Sequence, residues 1–240
     1  MLKPTTFLLL ASVPGFIAAM FFGSLFSASS QNSASPQNGW ERKASIETSG
    51  RISQLASEKN TLSDWPPVCG EPFPQVELFD HADNRFSFDR LRGKPTVIEF
   101  ISMTCAGCQA FSGANEFGPY GGLASQPDLK SFETYFRQYA GFDLHNGEVN
   151  YVVVVVYNDK LQSPTAQDLN DWRNHFRLDR HDNAYVVSSP KLANQDTFKM
   201  IPGFMALDKD QTIVFDSTGH HPKHNLYSEL LPKVKTLLRK

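Results

Sequence analysis

Cysteine is scarce in this chain: the only three are Cys69, Cys105 and Cys108. There is no second Cys-x-x-Cys to complete a four-ligand structural zinc centre, and what remains as a clustered ligand set is Cys69 and the patch His220, His221 and His224. Charge of one sign is not in excess either. The formal net charge is −2, which leaves no electrostatic footprint for nucleic acid. No cysteine stands near the one long apolar run, Phe7 to Ala28, and this excludes a lipoprotein anchor there.

What chemistry the sequence does hold is concentrated at Cys105-Ala106-Gly107-Cys108. The pair follows Pro95 to Ser102, a β-branched and aromatic run that reads as a short buried strand with one odd carboxylate, Glu99. A Cys-x-x-Cys at the end of a strand and the start of a helix places its first sulfur among unpaired N–H groups, which favour the thiolate. The second sulfur lies one turn on, within reach of a mixed disulfide formed at the first. The reading is a thiol–disulfide exchange site. Metal binding and an inert pair are the alternatives, although a staple across so small a loop would stabilise little.

Length and composition fit one good-sized core with appendages. Phe7 to Ala28, preceded by Lys3, is long enough to cross a bilayer, and Pro14 and Gly15 within it are tolerated in such helices. The expectation is a signal anchor with the C-terminal part outside the cytoplasm, a cleaved signal peptide being the alternative. Residues 29–67 read as a Ser/Asn/Gln/Ala-rich tether, with a weak helix over 41–59, ending at Trp65-Pro66-Pro67. The globular domain is then 68–240. Cys69 at its entrance reads as a small half-buried residue rather than a resolving thiol.

Within the domain, Gln75 to Phe79 and Asn84 to Phe88 read as a hairpin, and Asp89 to Arg92 as a helical turn. Glycines and prolines punctuate Ser112 to Pro127, a length that suggests a lid, a docking surface or a bland insertion. Asp128 to Ala140 reads as a helix whose aromatic stripe, Phe132, Tyr135, Phe136 and Tyr139, belongs to the core. Tyr151 to Tyr157 is the plainest central strand. A helix over 166–176, a strand over 183–187 and a short helix over 191–200 follow. Ile201-Pro202-Gly203 then opens a strand pair, 204–207 and 212–215, and a helix over 226–238 interrupted by Pro232 closes the chain.

In order and spacing, these elements resemble the thioredoxin fold. They most resemble the membrane-tethered thiol–disulfide oxidoreductases of the TlpA/ResA type, within the redoxin superfamily. The likeness runs from about Gly70 to the C-terminus. It rests on Gly70-Glu71-Pro72-Phe73-Pro74, Leu91-Arg92-Gly93-Lys94-Pro95, Cys105-Ala106-Gly107-Cys108 and Ile201-Pro202. The resemblance implies an α/β thioredoxin-like fold, a central mixed β-sheet flanked by helices. It implies Cys105 as nucleophile, Cys108 as resolving thiol, Glu99 as a buried acid taking the Cys108 proton, and Pro202 as a cis-proline shaping the docking groove. It further implies protein thiol or disulfide substrates, a membrane electron donor or acceptor, and no cofactor. Thr104 stands where the family carries tryptophan, and Gly107 where it commonly carries proline.

Other readings share the scaffold. A peroxiredoxin-type peroxidase shows Pro-x-x-x-Thr/Ser-x-x-Cys; Ser102 fits this pattern, but Ile98 occupies its proline position. A Sco-like copper protein uses a three-residue spacing and a histidine before the late strands, whereas His220, His221 and His224 follow them and read as solvated. A redox-inert binding module is the remaining class.

Overall fold

The computed structural model describes residues 64–239. The expected signal anchor or signal peptide at 1–28, and the tether as far as residue 63 with its weak helix, lie outside the described residues. Among those described, no helix is long and apolar enough to cross a membrane.

Two strands form the centre because they bury every side chain. These are β3 (Thr96–Ser102) and β4 (Asn150–Tyr157), and a strand without a wet face needs cover on both sides. They pair in parallel. On one side the sheet continues through β5 (Ala184–Ser188), parallel to β4, then the short hairpin β1 (Leu78–Asp80) and β2 (Arg85–Phe86). On the other side lie β6 (Gly203–Leu207) and β7 (Ile213–Thr218), both antiparallel steps. The seven strands run in the order β2-β1-β5-β4-β3-β6-β7. This is the mixed central sheet, flanked by helices, that the sequence led us to expect.

Register decides which residues share a face. Glu99 of β3 lies opposite Val153 of β4 and Phe204 of β6, so Tyr151, two residues before Val153, stands on the same face. Helices α1 (Ala106–Phe111), α2 (Ala114–Phe117) and α3 (Phe132–Ala140) follow β3. Phe132 of α3 stacks on both Tyr151 and Phe204, and Phe111 of α1 meets Phe204 edge-on, which sets α1 and α3 over the Glu99 face. The opposite face holds Phe100, met by Trp65 at 6.1 Å between ring centroids. Trp65 also packs on Phe73, so the packed domain reaches back into the end of the expected tether.

Helix α3 starts later than its aromatic periodicity suggests, because Ser131 caps it by accepting the Thr134 N–H. The stripe also divides. Phe132 and Phe136 are buried, whereas Tyr135 and Tyr139 turn to Tyr227. Helix α4 (Ala166–His175) opens with a capping box between Thr165 and Asp168. The expected helix over 191–200 is a short turn, Pro190–Leu192, then α5 (Gln195–Lys199), divided where Asn194 caps α5. The last helix is a wide turn over Leu226–Leu230 that hands over to α6 (Leu231–Leu237) near Pro232.

Candidate active site

Cys105 follows β3 after a turn at Met103 and Thr104, in extended conformation, and caps α1. Its sulfur accepts the Cys108 backbone N–H at 3.2 Å. Helix α1 has only six residues, so little macrodipole reaches the thiol and its stabilisation is local. A hydrogen bond from the Cys108 side chain, aided by the N–H groups of Cys108 and Gly107, holds Cys105 at about 7 against the opposing cost of burial. Cys108 is fully buried, and burial, then its bond to Cys105, pushes its own thiol well above the ordinary range. Both thiols are free. One sulfur is thus half-exposed and easily ionised; the other is buried behind it and keeps its proton.

The Ile201–Pro202 peptide bond is cis, as the position of Pro202 suggested. Pro202 Cγ and the Cys105 sulfur lie 3.6 and 3.9 Å from the place a side chain at Gly107 would start, so the proline and the Cys105 sulfur meet beside Gly107. The next residue has no such room. A Cβ at Gly203 would fall inside the Met200 carbonyl and 2.7 Å from Thr218 Cα, so glycine is what lets the two backbones meet there. A second cis bond, Trp65–Pro66, was not anticipated from the sequence.

Around Cys105 opens a groove of about 760 Å³. Its apolar walls are Leu161, Phe198, Ile201 and Pro202, with His220 and His221 on its margin. Phe198 is 42% exposed, a large apolar surface left to solvent beside a nucleophile. His220 and His221 therefore border the site rather than stand apart from it. His224 is not simply solvated: its Nδ1 accepts the Asp216 N–H at 3.0 Å and ties the loop to β7. Among the described residues no group of three or more histidines, cysteines and carboxylates is placed to hold a metal. Ser102 Oγ and Thr104 Oγ1 lie 2.9 Å apart and share a hydrogen bond. Cys69 is half-buried, within reach of the charges of Lys223 and Asp216 and outside the groove lining.

Glu99 lies in the middle of β3 with no exposed surface, which rules out a strand-edge carboxylate reaching water. Tyr151 O–H donates to its Oε2, and Oε1 has no hydrogen-bond partner among the described residues. Burial raises Glu99 to about 8; the Tyr151 bond opposes this, and the charge of Cys105 adds to it. The charge of Glu99 in turn helps raise Cys108. Periodicity had marked Tyr151 only as the start of a strand. Its partnership with Glu99 depends on the β3–β4 register, which composition does not disclose.

The punctuated segment 112–127 is pinned to the site. Buried Gln109 donates to Met103 O at 2.7 Å and accepts the Tyr120 N–H at 2.8 Å. Asn115 donates to the carbonyls of Gln126 and Leu129, and Gln126 N–H reaches Ala106 O at the start of α1. The segment walls α1 and brings the Gln126 side chain beside Gly107.

No protein-family model matches the chain, and neither does any curated protein. Among solved structures, it is similar to a protein from Aquifex aeolicus VF5 named for electron transfer. The identity is 14% and the TM-score 0.47, over 72% of this chain and 99% of that one. A thiol peroxidase from Chromobacterium violaceum gives 11% identity and 0.44, over 72% and 87%. A secreted disulfide oxidoreductase from Mycobacterium tuberculosis gives 13% and 0.40, over 69% and 95%.

Proposed function

We propose that this chain is a thiol–disulfide oxidoreductase that reduces protein disulfides through Cys105 and Cys108. The observation that carries the reading is the division of labour between the two sulfurs. Cys105 is half-exposed beside an apolar groove and ionises near 7, whereas Cys108 is buried and keeps its proton until the first sulfur has reacted.

In this reading Cys105 thiolate attacks a substrate disulfide, and one substrate sulfur leaves as thiolate. Glu99 takes the Cys108 proton, and Cys108 attacks the mixed disulfide to release the second substrate thiol. Ile201 and Pro202 offer backbone and ring surface to the substrate chain lying in the groove. The nucleophile supports this direction. Strong oxidants of this chemistry hold the attacking thiol near about 3.5, stabilising their reduced form, whereas reductants sit near about 7. Cys105 belongs with the second group. The apolar stretch Phe7 to Ala28 supports placement outside the cytoplasm, on a membrane anchor or after signal cleavage. A reductant in an oxidising compartment needs electrons supplied through the membrane, which makes a membrane electron donor its natural partner.

The test is covalent capture. Cys108→Ser in the full chain should accumulate mixed disulfides on Cys105 when offered disulfide-bonded proteins, and the wild-type pair should titrate near about −270 mV. Absence of any adduct on Cys105, or of a titratable disulfide, would overturn the reading.

A further inference from the structure

Resolution sets a problem of proton traffic. While a substrate sulfur is bonded to Cys105, the substrate chain occupies the groove, yet Cys108 must lose a proton to react. Cys108 and Glu99 both lie at zero exposure, so a proton handed to Glu99 needs a second way to water.

A second cavity, of about 260 Å³, lies on the Glu99 face of the sheet and shares no lining residue with the groove. It is walled by the end of α1 at Ser112, the start of α3 at Ser131 and Glu133, the segment 176–181, and Tyr151. Tyr151 is thus both the hydrogen-bond partner of Glu99 and part of this wall. His145 stands in the same lining, its ring 6.3 Å from that of Tyr151 and stacked on His181 at 3.5 Å. Ser112 Oγ is buried there without a hydrogen-bond partner among the described residues.

We propose that Tyr151 is the positioning residue for Glu99 and the outlet for its proton, joining the carboxyl to the second cavity so that resolution proceeds while the groove is full. The inference rests on the thiol–disulfide reading above. Cys108 gives its S–H proton to the Glu99 carboxylate and its electron pair to a new bond with the Cys105 sulfur. The pair of the Cys105–substrate bond leaves on the substrate sulfur. The neutral carboxyl then passes a proton to the phenol oxygen as the phenol proton passes to solvent water in the cavity. Carboxylate and neutral phenol are both restored. The titratable and charged groups that face this route are Glu99 from β3, Cys108 from α1, Glu116 from α2, Glu133 from α3, His145 from the loop after α3, and Arg177, Arg180 and His181 from the segment after α4. Burial, then the charges of Glu99, Glu133 and Cys108, keep the phenol proton in place, so Tyr151 relays rather than ionises. Burial and His181 keep His145 below its ordinary value, a neutral imidazole able to take a proton.

The test loads the reduced full chain with an apolar peptide carrying a nitroaryl mixed disulfide on its cysteine. Colour release reports attack by Cys105. Decay of the Cys105–peptide adduct, read by mass spectrometry after acid quench, reports resolution. Tyr151→Phe should leave attack within about two-fold and slow resolution roughly ten-fold or more. It should also move the rising limb of the resolution pH profile to higher pH, since the bond that favours the carboxylate is gone. Ser112→Leu, which fills the cavity and leaves the Tyr151–Glu99 bond intact, should slow resolution several-fold with the limb unmoved. Wild-type resolution with an unmoved limb in Tyr151→Phe would overturn the proposal. So would wild-type resolution in Ser112→Leu, which alone decides if Tyr151→Phe does not fold. Failure of the first, coloured step in the wild type would instead sink the thiol–disulfide reading.

Discussion

Cys108 holds Cys105 ready twice over: its backbone N–H donates to the Cys105 sulfur at 3.2 Å, and its own thiol donates to the same atom. A six-residue helix supplies little field of its own, so the nucleophile is activated by its immediate partner. Burial raises Cys108 most and the same contact adds to it, so the bond that readies one thiol as the attacker also helps keep the other in reserve.

Removing that side chain should therefore blunt the nucleophile as well as abolish resolution. In Cys108→Ala the two backbone donors remain, but the largest cause of the lowered value is lost. The Cys105 pKa should rise from about 7 toward its ordinary range, and attack on a small disulfide at pH 7 should slow roughly two- to ten-fold. Thiolate ultraviolet absorbance against pH reads the first effect, and alkylation rate the second. An unchanged titration would mean that the backbone donors suffice.

Much of this arrangement is legible along the chain, because it depends on local pattern. β3 and β4 announce themselves as continuous apolar runs, Glu99 as a carboxylate out of place, and Pro202 by its position before a strand pair. What escapes is set by contacts distant in sequence. The Tyr151–Glu99 bond needs the parallel register of two strands. The pinning of 112–127 depends on the interior side chain of Gln109, which polarity alone marks as solvent-facing. His224 looked solvated because its partner is a backbone N–H on β7. Helix ends moved for a similar reason, as Ser131 and Asn194 take the caps that hydrophobic period cannot locate.

Glu99 should leave a signature in stability against pH. Its folded-state value near 8 lies above an ordinary carboxyl near 4.5, so the folded chain binds a proton that the unfolded chain releases between those limits. Below the lower limit the neutral carboxyl carries no such cost. As pH rises through the window, stability falls by about 1.4 kcal/mol per unit for this group, levelling above the upper limit. Glu99→Gln cannot titrate, so its melting temperature should gain on the wild type as pH is raised from 5 to 8, whatever their relation at pH 5. Melting curves that stay parallel across that range would mean the carboxyl is already ionised in the folded state.

The groove makes a prediction that separates substrates by size. Phe198 stands 42% exposed on α5, in the same lining as Cys105, Ile201 and Pro202, and its ring lies 6.0 Å from that of Tyr157. A small disulfide needs only the sulfur, whereas a protein segment laid along the groove buries apolar side chains against this ring. Truncation there removes area that matters only to the larger substrate, about 1.5–3 kcal/mol for full burial of such a side chain and less for a half-exposed one. Phe198→Ala should thus lower kcat/KM on a disulfide-bonded protein by roughly ten-fold and leave the rate with a small aromatic disulfide unchanged. The Cys105 thiolate titration should also stay in place, since Phe198 is not among the groups that set it. Equal losses on both substrates would mean that Phe198 supports the site from within, and that protein chains dock elsewhere.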